Sequence, residues 1–145
     1  MTKRITYVSH FSKPMNEREL SSLGETAAEK NHRLGITGFL MVSGGLFYQV
    51  LEGPEENVDE LYAAIAADDR HTDLLLLRVE EDISGRLFPD WSMKTINLDA
   101  ASHVRLLPVK ALVKAVYEQQ RLIDNMIWAI ERTVQYEMKE QSSQD

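Results

Sequence analysis

Two amides are the residues of this chain best placed to do chemistry. Gln49 stands mid-strand in Leu46-Phe47-Tyr48-Gln49-Val50-Leu51-Glu52, and its parity puts it on one face with Phe47 and Leu51. An amide on an apolar face costs about 1–3 kcal/mol unless it finds hydrogen-bond partners. Asn31 makes the same demand from a helix. It follows Leu20 by eleven residues, close to three full turns, and so joins the stripe of Leu20, Leu23, Ala27 and Leu34. Two amides aimed into one interior suit a bound polar ring with donors and acceptors on its edge. Tyr7 brings a phenol on the strand face of Ile5 and Ser9. Each of the three alone has a plainer reading: a half-buried strand tyrosine, a glutamine bonded to backbone, an asparagine closing a loop. On elements that must converge, the three together favour a site.

Other chemistries find little support. His10, His32, His71 and His103 lack metal-ligand spacing, and without cysteine there is no thiolate site, disulfide or thiol nucleophile. No nucleophile elbow, P-loop or dinucleotide fingerprint is present. Glu52 follows Gln49 by three residues and faces the opposite side of the strand, so it is no general base. Asp68-Asp69-Arg70-His71 ends a helix as a solvated terminus, or there Arg70 and His71 meet an anionic group. Trp91-Ser92-Met93 reads as core.

The elements that position these groups follow from periodicity and turns. Residues 4–9 read as a first strand. Asn16 with Glu19 resembles a capping box and opens a helix that stops at Gly35. Residues 36–42 and 46–52 form a hairpin about Gly44-Gly45, whose register sets Leu40 opposite Gln49. Pro54 at N1, followed by Glu55 and Glu56, opens a second helix with the stripe Val58, Leu61, Tyr62 and Ile65. The continuous apolar run 74–79 predicts a buried fourth strand, and 91–98 a fifth. The order β-α-β-β-α-β-β is an α+β, ferredoxin-like plan with an added strand, in which the first and third strands are neighbours. Two helices then cover one face of the sheet. From Pro108 onward helical spacing continues through Leu112, Val113, Val116, Ile123, Met126, Ile127, Ile130 and Val134, interrupted at 118–121. Two helices and one bent helix both satisfy it. Residues 140–145 are expected to fray.

At 145 residues, 43% apolar and 27% charged, the chain suits a soluble domain with a helical tail. Its net charge of −7 argues against nucleic-acid backbone as a partner. No apolar run spans a membrane and no signal-peptide core opens the chain, so a cytoplasmic location is expected.

These residues resemble the BLUF family, blue-light sensors that use flavin, over roughly residues 3–98. The markers are Ile5-Thr6-Tyr7-Val8-Ser9, Asn31 before Ile36-Thr37-Gly38, Gly45 to Gly53, Asp68-Asp69-Arg70-His71, and Phe88-Pro89-Asp90-Trp91-Ser92-Met93. The resemblance implies a non-covalent FAD between the two helices, with FMN and riboflavin as alternatives. Asn31 would pair with the ring's carbonyl and imide edge. Gln49 would sit between the flavin N5/O4 edge and Tyr7, and Leu23 and Ile65 would sandwich the ring. Asp68, Arg70 and His71 would lie toward ribityl and phosphate, with His32 on the ribityl chain or facing solvent. Gly24 and Lys30 depart from the residues many relatives carry.

It further implies that Tyr7 gives an electron to the excited flavin and that Gln49 rotates or tautomerises, biasing Trp91 and Met93. Residues 1–98 would be the sensor and 99–145 a helical extension for output and oligomerisation, toward a homo-oligomer and a light-dependent protein partner. No enzymatic activity, membrane or metal enters this reading. The rivals are a ferredoxin-like small-ligand module or enzyme without photochemistry, and a structural adaptor acting through the 123–134 stripe.

Overall fold

The computed structural model describes residues 1–144, the side chains of residues 101–103, 143 and 144 excepted. Its elements are β1 (Thr2–Phe11), α1 (Glu17–Arg33), β2 (Thr37–Ser43), β3 (Leu46–Pro54), α2 (Glu55–Ala66), β4 (His71–Glu80) and β5 (Lys94–Asn97). A 3-10 turn (Ala101–Leu106) then leads into α3 (Leu107–Gln144). The sheet order is β4-β1-β3-β2-β5, antiparallel throughout except for the parallel β2–β5 pair. This is the expected α+β, ferredoxin-like order with its fifth strand at the β2 edge.

Local chemistry accounts for the boundaries. The Asn16 side chain caps α1 by accepting from Glu19 N at 2.8 Å. Gly35, at φ +66, takes the left-handed conformation that ends the helix. Gly44 and Gly45 both have positive φ in the hairpin turn, which fixes Leu40 opposite Gln49. Pro54 stands at the N-cap of α2 rather than inside it, because it still pairs with Thr2 as the last residue of β3.

Two cores lie on opposite faces of the sheet. On one, Ile5, Tyr7, Leu40, Phe47 and Leu51 pack under Leu20 of α1 and Val58 and Leu61 of α2. On the other, Val8, Met41, Leu46, Ile96 and Leu98 pack against Val113 and Tyr117 of α3. Strand alternation sorts these sets, as the period-2 rule requires.

Two expectations are corrected, and one left open is decided. β4 is an edge strand with Leu76 and Val79 exposed, not a buried one. A continuous apolar run resembles a strand covered on both faces, but here a partner strand flanks only one side. β5 is short, so Trp91 sits in the preceding turn instead of in the strand. The C-terminal segment is one continuous helix to Gln144, because no Gly or Pro after Pro108 breaks it. Of the tail expected to fray, Asp145 lies outside the described residues.

Candidate functional site

A cavity of about 520 Å³ opens between α1, α2 and the sheet, a volume ordinary for a small-molecule site. Tyr7 of β1, Leu40 of β2 and Gln49 of β3 form its floor, and Leu23 and Asn31 of α1 and Ile65 of α2 form its walls. Asp68, Arg70 and His71 stand at its rim, with Lys30. Leu23 and Ala27 of α1 and Leu61, Ala64 and Ile65 of α2 line it with apolar side chains from both helices.

The polar groups inside are arranged in a chain. Tyr7 and Gln49 face each other across the β1–β3 ladder. The buried Tyr7 hydroxyl donates to Gln49 Oε1, and Gln49 Nε2 donates to Met93 Sδ at 3.2 Å. Both ends of the amide are therefore engaged, at 5% exposure. Burial, and then the neighbouring Tyr62 and Asp68, push the Tyr7 phenol well above its ordinary pKa, so it stays protonated. Asn31 is 2% exposed and lines the cavity from α1. A buried amide in a cavity wall can give and accept hydrogen bonds with whatever fills the cavity.

The rim is charged but internally paired. Arg70 Nε lies 3.0 Å from both Asp68 carboxylate oxygens. That hydrogen bond, the largest influence, holds the Asp68 carboxyl at about 2 against the opposing effect of burial. His71 Nδ1 is 2.8 Å from Ser9 Oγ. Burial lowers its pKa below the ordinary imidazole value, with Asp68 opposing the shift and Arg70 adding to it.

Three predicted site residues, His32, Trp91 and Met93, do not line the cavity. His32 is exposed, with Nδ1 3.4 Å from Ser92 Oγ. Trp91 is 37% exposed and stacks on Phe88, ring centroids 5.5 Å apart, with Lys94 Nζ 5.8 Å from its ring. Met93 takes the inward position at 4% exposure. Gly24, too, lies outside the cavity lining. A methyl at Gly24 would sit 2.2 Å from Thr95 Oγ1, so the glycine permits close approach of α1 to β5. Thr95 Oγ1 is also the one fully buried side-chain oxygen or nitrogen without a hydrogen bond among the described residues.

Sequence reasoning missed what Glu52 does. Its side chain is fully buried and accepts from Arg4 Nη1 at 3.2 Å, Leu87 N at 3.1 Å and Phe88 N at 2.5 Å. Trp91 O in turn accepts from Gly38 N at 2.8 Å. The segment before β5 is thus strapped to β2 and β3 at fixed points, with Met93 at its end. Among the described residues no group of three or more His, Cys, Asp or Glu side chains is placed to hold a metal, and the His103 side chain lies outside them. No helix among the described residues is long and apolar enough to cross a membrane.

Comparison with known proteins bears on this arrangement. The family model described as "BLUF: Sensors of blue-light using FAD" matches residues 2–94. Photoactivated adenylate cyclase subunit beta of Euglena gracilis is 36% identical over 100 residues, 68% of this chain and 12% of that protein. A structure of a bacterial light-regulated adenylyl cyclase superposes with a TM-score of 0.79 at 42% identity, covering 86% of this chain and 36% of that one. BlrB, a BLUF protein in its dark state, superposes with a TM-score of 0.64 at 30% identity, covering 81% of this chain and 96% of that one. The chain therefore spans a small part of the cyclases it matches and nearly all of the BlrB chain.

Proposed function

The chain belongs to the BLUF family, sensors of blue light using FAD, and from that premise we propose that it is a photoreceptor whose Tyr7–Gln49–Met93 chain is the switch. The observation that carries this reading is the cavity itself: space between two helices and the sheet, with a bonded Tyr7–Gln49 pair on its floor and a second buried amide, Asn31, in its wall. The residues fit a flavin. Asn31 would meet the polar edge of the ring, Leu23 and Ile65 its two faces, and Arg70 and His71 the side-chain end. FAD is the form we assign, over FMN or riboflavin, because it is the cofactor in the family's description, and Lys30 lines the cavity as a cation for its phosphates.

When bound, the oxidised flavin supplies a light-driven one-electron oxidant. The chain's own groups do the rest. Tyr7, desolvated and hydrogen-bonded, would be the electron donor, its hydroxyl proton held along the bond to Gln49 Oε1 and returning with the electron. The Gln49 amide has a donor end and an acceptor end, so half a turn exchanges them without moving the backbone. Methionine sulfur accepts a hydrogen bond but has no proton to give. A rotated amide would therefore present its carbonyl to Met93 and lose the bond at 3.2 Å. Met93 abuts β5, whose Ile96 and the following Leu98 pack under α3. Releasing Met93 thus loosens the strand on which α3 rests.

Output would pass through residues 99–145, by a change in self-association or in contact with a downstream protein. Support comes from α3 beyond Tyr117, where Ile123, Met126, Ile127, Ile130 and Val134 are all exposed at helical spacing. A second copy of the chain is the simplest cover for such a stripe. The cyclase activity printed for the relatives is not transferred, since the matched segment is a small fraction of those proteins. A cytoplasmic location completes the reading and agrees with a chain free of cysteine. The test is optical. Purified protein should be yellow, its flavin band should move to longer wavelength under blue light, and it should recover in the dark. A flavin-loaded protein with no reversible shift would contradict the proposal.

A further inference from the structure

His71 and Asp73 stand two residues apart at the start of β4, a spacing that in a regular strand turns both side chains to one face. Here they serve opposite faces. His71 lies on the cavity side, bonded to Ser9 Oγ, with its ring centroid 6.2 Å from that of Tyr7 and 5.1 Å from that of Phe47. Asp73 Oδ2 meets α3, accepting from Arg121 Nη1 at 2.8 Å and from the Tyr117 hydroxyl at 3.4 Å. The Tyr117 hydroxyl accepts in turn from Arg121 Nη1 at 2.9 Å.

The backbone explains the crossing. Asp73 has φ +49, in the left-handed region that Asp tolerates better than most residues. The β1–β4 register also shifts between Val8 and His10, around the very serine that holds His71. His10, the next residue of β1, turns its ring to Tyr117, centroids 5.4 Å apart. Within a few residues both strands pass from the cavity to the seat of α3.

The seat is locked more by burial than by charge. Tyr117 is 6% exposed, whereas Arg121 and Asp73 are half-exposed, and exposed ion pairs contribute little. It also has slack. A cavity of about 350 Å³ beside it is bordered by His10, Leu46, Lys110, Lys114 and Tyr117. An irregular strand end, a buried phenol held by one acceptor and space to move into are the parts of an element with two arrangements.

We propose that His71-Thr72-Asp73 is a lever across the sheet, passing changes at Tyr7 through Ser9 and His71 to Asp73, which latches α3 by Tyr117. It is separate from the Met93 strap, which reaches α3 from the other edge of the sheet. Asp73, Tyr117 and Arg121 are positioning residues for signal output, and the inference rests on the photoreceptor reading above.

The test is hydrogen exchange of the full, flavin-loaded chain, dark and lit, followed over the α3 amides of residues 109–124. Asp73→Asn keeps a residue that tolerates positive φ but removes the charge. Tyr117→Phe keeps the buried ring and removes the hydroxyl. Both should bind flavin and shift normally under light, yet lose more than half of the lit–dark difference in α3. In the dark both should already exchange faster there than the wild type. Variants with a normal shift and an undiminished α3 difference would overturn the lever alone. A wild-type chain without any spectral shift would overturn the photoreceptor reading and the lever with it. Should Asp73→Asn fail to fold, Tyr117→Phe still decides, since its ring packing is unchanged.

Discussion

The two faces of the sheet are built from the same strands but for different work. Under α1 and α2 the interior is left open, and three polar side chains, Tyr7, Asn31 and Gln49, are buried around about 520 Å³ of space. Under α3 the residues packed together are Val8, Met41, Leu46, Ile96, Leu98, Val113 and Tyr117, with the buried Ser43 beside them. A polar lining around open space is costly for a bare fold and sensible only with a ligand. A mostly apolar seat for a single helix that then runs on into solvent makes sense as a docking surface whose occupant can shift. The contrast teaches that the ligand face and the output face are divided by one layer of backbone. What joins them is a few residues: Met93 at one edge and His71 to Asp73 at the other.

That division can be broken on the ligand side first. Tyr7→Phe should keep the fold, since it deletes one hydroxyl worth about 1 kcal/mol, and should abolish the normal photocycle. Flavin fluorescence and the yield of the long-lived red-shifted state check it; an efficient, stable shift in the variant would remove Tyr7 as donor. Asn31→Ala should weaken flavin binding by about 1–3 kcal/mol, roughly 5- to 150-fold in Kd. Titration of flavin-free protein measures this, and an unchanged Kd would mean the amide does not meet the ring.

Smaller effects sharpen the boundary. Burial lowers the pKa of His71, so the unfolded chain binds its proton at a higher pH than the folded one does. Below about pH 6.5, the ordinary imidazole value, the unfolded state holds more protons and stability falls as pH falls. Denaturant unfolding of the flavin-free chain between about pH 7 and pH 5 should show this decline, and His71→Gln should flatten it. Least of all should the ligand face notice the end of α3. A chain ending at Asp124 keeps Tyr117 and Arg121 and should shift in light as the full chain does. Light scattering should find that it no longer self-associates. A normal assembly in the shortened chain would place the interface elsewhere.

Much of this architecture was legible beforehand, and the reasons are local. Gly44-Gly45 fixed the hairpin register, so Leu40 opposite Gln49 followed from counting residues, and the ferredoxin-like order made the strands of Tyr7 and Gln49 neighbours. Helix stripes placed Asn31, Leu23 and Ile65 toward one interior. What escaped was set by contacts distant in sequence. The turn that puts Trp91 outside and Met93 inside depends on Glu52, whose carboxylate binds backbone some 35 residues away. The exposure of β4 depends on its edge position, which an apolar run cannot reveal. The crossing at Asp73 depends on a positive φ in a residue that is not glycine.

The central claim is that Gln49, holding Tyr7 at one end and Met93 at the other, is the element that light rearranges. A light-minus-dark absorbance spectrum of Gln49→Leu tests it most directly. Leucine fills the apolar floor and can neither accept from Tyr7 nor donate to Met93. The account predicts a yellow, flavin-loaded protein whose difference spectrum lacks the red shift that the wild type shows. A shift of wild-type size in that variant would contradict it.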